Sequence, residues 1–140
     1  MEFRIQENCE DIDWHEVRQY LKDAGMGYYE PQLHEKAFRS SFSTVFVFNN
    51  EKMIGFGRAI SDGAYQAAVY DVVVLPEYQN LGIGKMIMER ILQKVSHCNV
   101  ILYASPGKEG FYSKLGFSGM RTGMALFLNP PKMKEKGMIY

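Results

Sequence analysis

The chain has 140 residues, 46% hydrophobic and 23% charged, which suits one globular domain with a sizeable core. Its 16 basic and 16 acidic side chains cancel, so nothing draws it in bulk to nucleic acid or an anionic membrane, and neither is expected as a partner. Cys9 and Cys98 lie far apart, with no metal-ligand spacing around them, and read most simply as two reduced thiols, one disulfide being the alternative. The opening MEFRIQENCED carries charges where a signal peptide needs an apolar stretch, and no run approaches a membrane span. A cytoplasmic protein is expected.

Residues 2–6 alternate and predict a first strand. Asp13 with Glu16 three residues on reads as a capping box, and Trp14, Val17, Leu21 and Ala24 give the helix that follows. It ends near Gly25, and the stretch from Gly25 to Pro31 is a loop. Residues 32–42 hold a second short helix. Residues 44–48 and 53–60 are β-rich and joined by the turn Asn49-Asn50-Glu51-Lys52. Ala67 to Leu75 is a long strand, apolar on both faces from Val72, and so central in its sheet. Pro76 ends it.

Ile83, Ile87, Ile91 and Val95 then line one face of a helix, flanked by Met86 and Leu92. Val100 to Ala104 (VILYA) is a further buried strand, and with the strand before that helix it makes a parallel βαβ unit. Lys108 to Leu115 is a short helix stopped by Gly116. Residues from Phe117, and MALFL at 124–128, predict closing strands. Residues 130–140 are a polar, loose tail. The order is β-α-α-β-β-β-α-β-α-β-β, a mixed α/β sheet with four helices in a single domain over residues 1–140.

The corner PEYQNLGIGK, residues 76–85, carries the chemistry. Backbone N–H groups at a helix N-terminus are unpaired, and with the helix dipole they favour an anion. Gly82 and Gly84 remove side chains that would keep an anion away, and Lys85 adds a positive charge. A Walker A loop would need glycine at 79 and Ser or Thr at 86, where Gln79 and Met86 stand. A dinucleotide fingerprint would need glycine at 87, where Ile87 stands. Close helix–sheet packing is the alternative use of the glycines.

What fits is Q-x-x-G-x-G, as Gln79-Asn80-Leu81-Gly82-Ile83-Gly84. It resembles the acyl-coenzyme A pyrophosphate loop of the GNAT superfamily of N-acetyltransferases. DVVVLPEY, Asp71 to Tyr78, is similar to that family's strand running into the loop, and GFYSKLGF, Gly110 to Phe117, to its second signature. The element order matches along residues 2–128. Many members carry a basic residue at position 80, where this chain has Asn80, which shifts the phosphate grip toward Lys85 and backbone.

The resemblance implies a direct transfer of the acetyl group of acetyl-CoA, held without a metal, to a primary amine. Its implied cofactor contacts are Val73, Val74 and Leu75, the loop Gln79 to Lys85, and Phe111. Val73 and Leu75 would pair with the pantetheine arm like an added strand, and an N–H near Val73 or Val74 would polarise the thioester carbonyl. Tyr112, protonated at neutral pH, would be the general acid for the departing thiolate. Asp71 and Glu77 are the candidate general bases, each with a plain structural role as the alternative. Tyr28, Tyr29, Glu30, His34 and Phe38 fall where the acceptor wall is expected, and rings beside carboxylates suit a small organic amine. Pinning of the loop to the core is the other use for those tyrosines. A non-catalytic acyl-CoA sensor and a protein-lysine or N-terminal acetyltransferase are the competing readings. The short chain and open sheet edges suit a homodimer.

Overall fold

The computed structural model describes residues 2–140. They form two compact units, one running to Leu102 and the other from Tyr103 to Tyr140. The first unit holds β1 (Arg4–Gln6), α1 (Trp14–Asp23), α2 (Pro31–Arg39), β2 (Ser43–Asn49), β3 (Lys52–Ser61), β4 (Gln66–Val74), a 3₁₀ turn (Pro76–Tyr78), α3 (Ile83–Lys94) and β5 (Asn99–Ile101). Its strands make one sheet in the order β1-β2-β3-β4-β5. β1 to β4 are antiparallel neighbours, and β5 joins β4 in parallel after the α3 crossover. The predicted mixed α/β fold and βαβ unit are present.

Helix α1 begins as predicted at Asp13, whose Oδ1 accepts the N–H of His15 at 2.9 Å. The capping box does not close: Glu16 instead takes the Tyr20 hydroxyl at 3.1 Å. Gly25 ends the helix at φ +74°, with Gly25 N bonded to Lys22 O and Met26 N to Leu21 O. Helix α2 starts on Pro31, whose missing N–H costs nothing at that position, and stops at Arg39 rather than 42.

One core packs α1 and α2 against the sheet through Val17, Leu21, Phe38, Phe46, Phe56 and Val73. On α3, Ile83, Ile87 and Ile91 are buried as the spacing predicts, along with Met88 and the capping Val95. The helix packs on β2, β3 and β4. It sits close enough that a Cβ on Gly55 would lie 3.2 Å from Ile87 Cδ1, besides 2.9 Å from Val73 O of β4, and one on Gly57 3.0 Å from Ile87 Cγ2. That is why β3 reads GFG.

The second unit holds α4 (Glu109–Lys114) and α5 (Pro130–Glu135). The closing strands predicted from Phe117 and at 124–128 are not formed. Met124, Leu126 and Leu128 stand fully exposed, and Phe127 packs edge-on to Tyr103 at 5.5 Å. Period-two alternation assigns faces, but a strand also needs a ladder partner, and residues 117–128 have none. The segment predicted as a loose tail carries α5, capped by Asn129 Oδ1 on the Lys132 N–H at 3.2 Å. Among the described residues no helix is long and apolar enough to cross a membrane.

Candidate functional site

After β4 the chain makes the 3₁₀ turn, in which Tyr78 N bonds to Leu75 O and Gln79 N to Pro76 O. Gln79 then folds back, its side-chain amide donating to Val74 O at 3.1 Å. Asn80 at φ +64° and Gly82 at φ +81° are both left-handed, so the backbone turns sharply on either side of exposed Leu81. Gly82 is the N-cap of α3, and no side chain caps the helix. Met86 N bonds to Gly82 O, the first bond of the helix, which leaves the N–H groups of Ile83, Gly84 and Lys85 without a helical acceptor. A Cβ on Gly82 would meet nothing within 4 Å. Packing therefore does not account for this glycine, whose Cα faces open space. Those donors and the dipole of α3 fit a phosphate. Lys85 is exposed, its Nζ 3.8 Å from Glu89 Oε1.

The strand leading into that corner has no ladder partner on one side of its second half. β5 pairs with β4 only from Gln66–Asn99 to Ala68–Ile101, shorter than the predicted VILYA strand, and β4 runs on to Val74. Between Phe56–Val73 and Arg58–Tyr70 the register shifts, so that Gly57 alone faces Asp71 and Val72, a β-bulge. Asp71 sits there at φ +58°. Its Oδ2 accepts from Arg58 Nε at 2.7 Å. Leu75, just past the strand, donates its N–H to Ile54 O at 2.9 Å. By alternation Val73 also faces β3 and Val74 turns its N–H to the open side. The expected pairing of a ligand with Val73 and Leu75 is thus corrected: those amides are committed to β3, and Val74 is the one presented. Glu77, the other candidate base, is exposed and paired with Lys52 at 3.3 Å. Its own backbone N–H and Lys52 hold its carboxyl below the usual range.

The acceptor-wall candidates serve mostly structural ends. Phe38 is fully buried among Trp14, Phe46 and Phe56, so it offers a ligand no surface. The Tyr28 ring is faced by the Arg18 guanidinium at 5.1 Å and the Lys22 ammonium at 5.4 Å, which occupy the cation-binding role expected of it. Tyr29 donates its backbone N–H to His34 Nε2 at 2.9 Å, pinning the loop to α2. His34 is buried, and burial first of all, with Arg58 and Arg18 adding, pushes its pKa down against the pull of Asp71. Glu30 is exposed at the start of α2 and caps nothing. Arg58 was not among the expected site residues. Its signal is a lone guanidinium in an apolar strand beside a second strand carrying Asp71.

In the second unit, Gly116 at φ +97° closes α4, with two hydrogen bonds back to its last turn, from Phe117 N to Tyr112 O and from Gly116 N to Ser113 O. That turn brings Phe117 edge-on to the Tyr112 ring at 5.9 Å, with Phe111 at 5.0 Å on it as well. Burial raises the Tyr112 pKa, so its hydroxyl stays protonated well above neutrality. Among the described residues no cluster of three or more His, Cys, Asp and Glu side chains could hold a metal.

The chain is 28% identical over 118 residues to the uncharacterized N-acetyltransferase ycf52 of Pyropia yezoensis, a match covering 82% of this chain and 63% of that one. It is 46% identical over 68 residues to the chloroplastic serotonin N-acetyltransferase 2 of Oryza sativa subsp. japonica, covering 46% and 34%. It therefore spans less than two thirds of the length of these curated relatives. A GNAT family acetyltransferase from Streptococcus pneumoniae has the same fold, with a TM-score of 0.77 at 22% identity over 92% of this chain and 99% of that one. The family model for the acetyltransferase (GNAT) domain matches residues 41–119, from before β2 through the end of α4. With more than half its length matched, this chain belongs to the GNAT family of acetyltransferases.

Proposed function

We propose that the protein transfers an acetyl group from acetyl-CoA to a primary amine of a small molecule, by direct attack with both substrates bound. The observation that carries this is the uncapped start of α3, where open space at Gly82 meets three free amides beside the unpaired side of β4. The pyrophosphate of CoA would lie on the N–H groups of Ile83, Gly84 and Lys85. The pantetheine arm would run along β4, where the Val74 N–H would polarise the thioester carbonyl.

The amine lone pair attacks the carbonyl carbon, the C–S bond breaks, and an amide and the free thiol of CoA result. Tyr112 would supply the proton to the departing sulfur and recover one from water. Asp71 is held by Arg58 and Glu77 by Lys52, so the ammonium proton passes to water. A small amine is supported by the rice relative, a serotonin N-acetyltransferase by name. The test is thiol release from acetyl-CoA across a panel of small amines, with a lysine peptide and a peptide with a free N-terminus alongside. Release with a small amine and not with the peptides is expected. Binding of acetyl-CoA without release under any acceptor would make the protein a sensor, and release with the peptides alone would move the acceptor to proteins.

A further inference from the structure

We propose that Arg58 and Asp71 are a positioning pair, whose ion pair fixes the bulge in β4 and so decides which backbone amide faces the open side of that strand. The proposal rests on the acetyl-transfer reading for its consequence in catalysis, but its structural part stands on the backbone alone.

Before the bulge, Asn99 N bonds to Tyr65 O, so the odd-numbered residue faces β5, while Asp62 N bonds to Gln66 O, so the even-numbered one faces β3. After the bulge the phase is reversed, because Leu75 N bonds to Ile54 O of β3. A regular strand would have carried Val73 and Leu75 to the outer side. The extra residue at Asp71–Val72 opposite Gly57 turns Val74 outward instead.

Asp71 maintains this at a cost, since a left-handed backbone is unfavourable for any residue with a Cβ, though Asp and Asn tolerate it best. The ion pair supplies the restraint. Arg58 Nε to Asp71 Oδ2 is 2.7 Å, and both side chains are largely shielded, 16% and 21% exposed. The guanidinium cannot swing freely, because the ring of Phe38 lies at 5.5 Å and that of Tyr70 at 5.4 Å. A third contact, Arg58 Nη1 to Ser41 Oγ at 3.4 Å, ties it to the chain after α2. Asp71 thus acts through the backbone it holds rather than by taking a proton.

The experiment compares Asp71→Asn, Asp71→Ala and Arg58→Ala in two readouts. The first is amide hydrogen exchange in the protein without substrate. In the wild type the Val74 N–H exchanges at least about tenfold faster than those of Val73 and Leu75, and in Arg58→Ala and Asp71→Ala that contrast collapses. The second is steady-state acetyl transfer. Asp71→Asn keeps the hydrogen bond from Arg58 and tolerates the left-handed backbone, and it retains kcat within about threefold. Asp71→Ala and Arg58→Ala each lower kcat at least about tenfold with the KM for acetyl-CoA little changed, and the double variant is no worse than either. A loss in Asp71→Asn as large as in Asp71→Ala would overturn the proposal and make the carboxylate the base. Equal exchange of Val73, Val74 and Leu75 in the wild type would overturn it too, and so would an Arg58→Ala variant that keeps the contrast. Should an alanine variant fail to fold, Asp71→Asn and the wild-type exchange pattern still decide. A wild type that transfers no acetyl group would sink the proposed function and leave the exchange readout to judge the pair.

Discussion

Tyr112 and His34 are both shielded titratable side chains, and their surroundings set them opposite tasks. Tyr112 has aromatic neighbours and a pKa raised by burial, so it holds its proton at neutral pH, as the proposed donor to the departing sulfur must. Changing it to Phe keeps the ring contacts and removes only the hydroxyl. The expected result is a fall in kcat of at least about a hundredfold with CoA affinity nearly unchanged, read by thiol release and calorimetry. His34 must stay neutral, because its Nε2 accepts the Tyr29 N–H. Its folded pKa lies below the ordinary 6.5, so the unfolded chain binds the proton more readily. The stability it contributes is complete above that value and is lost as pH falls below it. Urea midpoints should therefore drop between pH 7 and pH 5, and His34→Gln should flatten that drop. The sequence offered His34 as a substrate contact because it sits beside Glu30 and Glu35. That its lone pair points at a backbone amide depends on the path of the loop, which no spacing encodes.

At the scale of elements, the start of α3 and the edge of β4 frame the proposed site. Gly82 has no neighbour to clash with, so Gly82→Ala is costly only through its positive φ, about 1 kcal/mol. A Cβ added to the proposed phosphate loop should lower acetyl-CoA affinity about tenfold, out of proportion to a loss of a few degrees in Tm. A calorimetric titration beside a thermal melt checks this, and a loss of stability with affinity intact would return the glycine to a folding role. The α3 corner was legible because Q-x-x-G-x-G dictates an uncapped helix start at fixed positions. The direction of the β4 amides was not, because a bulge reverses the alternation and a run such as Asp-Val-Val-Val carries no mark of it. Arg58 escaped notice for the same reason: its meaning lies in a partner 13 residues away across two strands.

For the whole molecule, a ligand that binds only the folded state must raise its stability. At a hundred times its Kd, acetyl-CoA should add about 2.7 kcal/mol and lift Tm by several degrees, measured by a thermal melt. No shift at millimolar acetyl-CoA would argue against the cofactor. By itself the sequence determined the order of elements through β5, the buried face of α3, the caps at Asp13 and Gly116, and the uncapped glycine corner before α3, because each follows from local side-chain chemistry, periodicity or a backbone angle only glycine takes readily. Tertiary structure alone decided that β5 leaves β4 at Ile101, that a bulge turns Val74 outward, that Phe38 is core, and that 117–128 forms no strand. Those outcomes depend on which distant backbone or side chain occupies the neighbouring space, and a residue's own neighbours in sequence do not fix that.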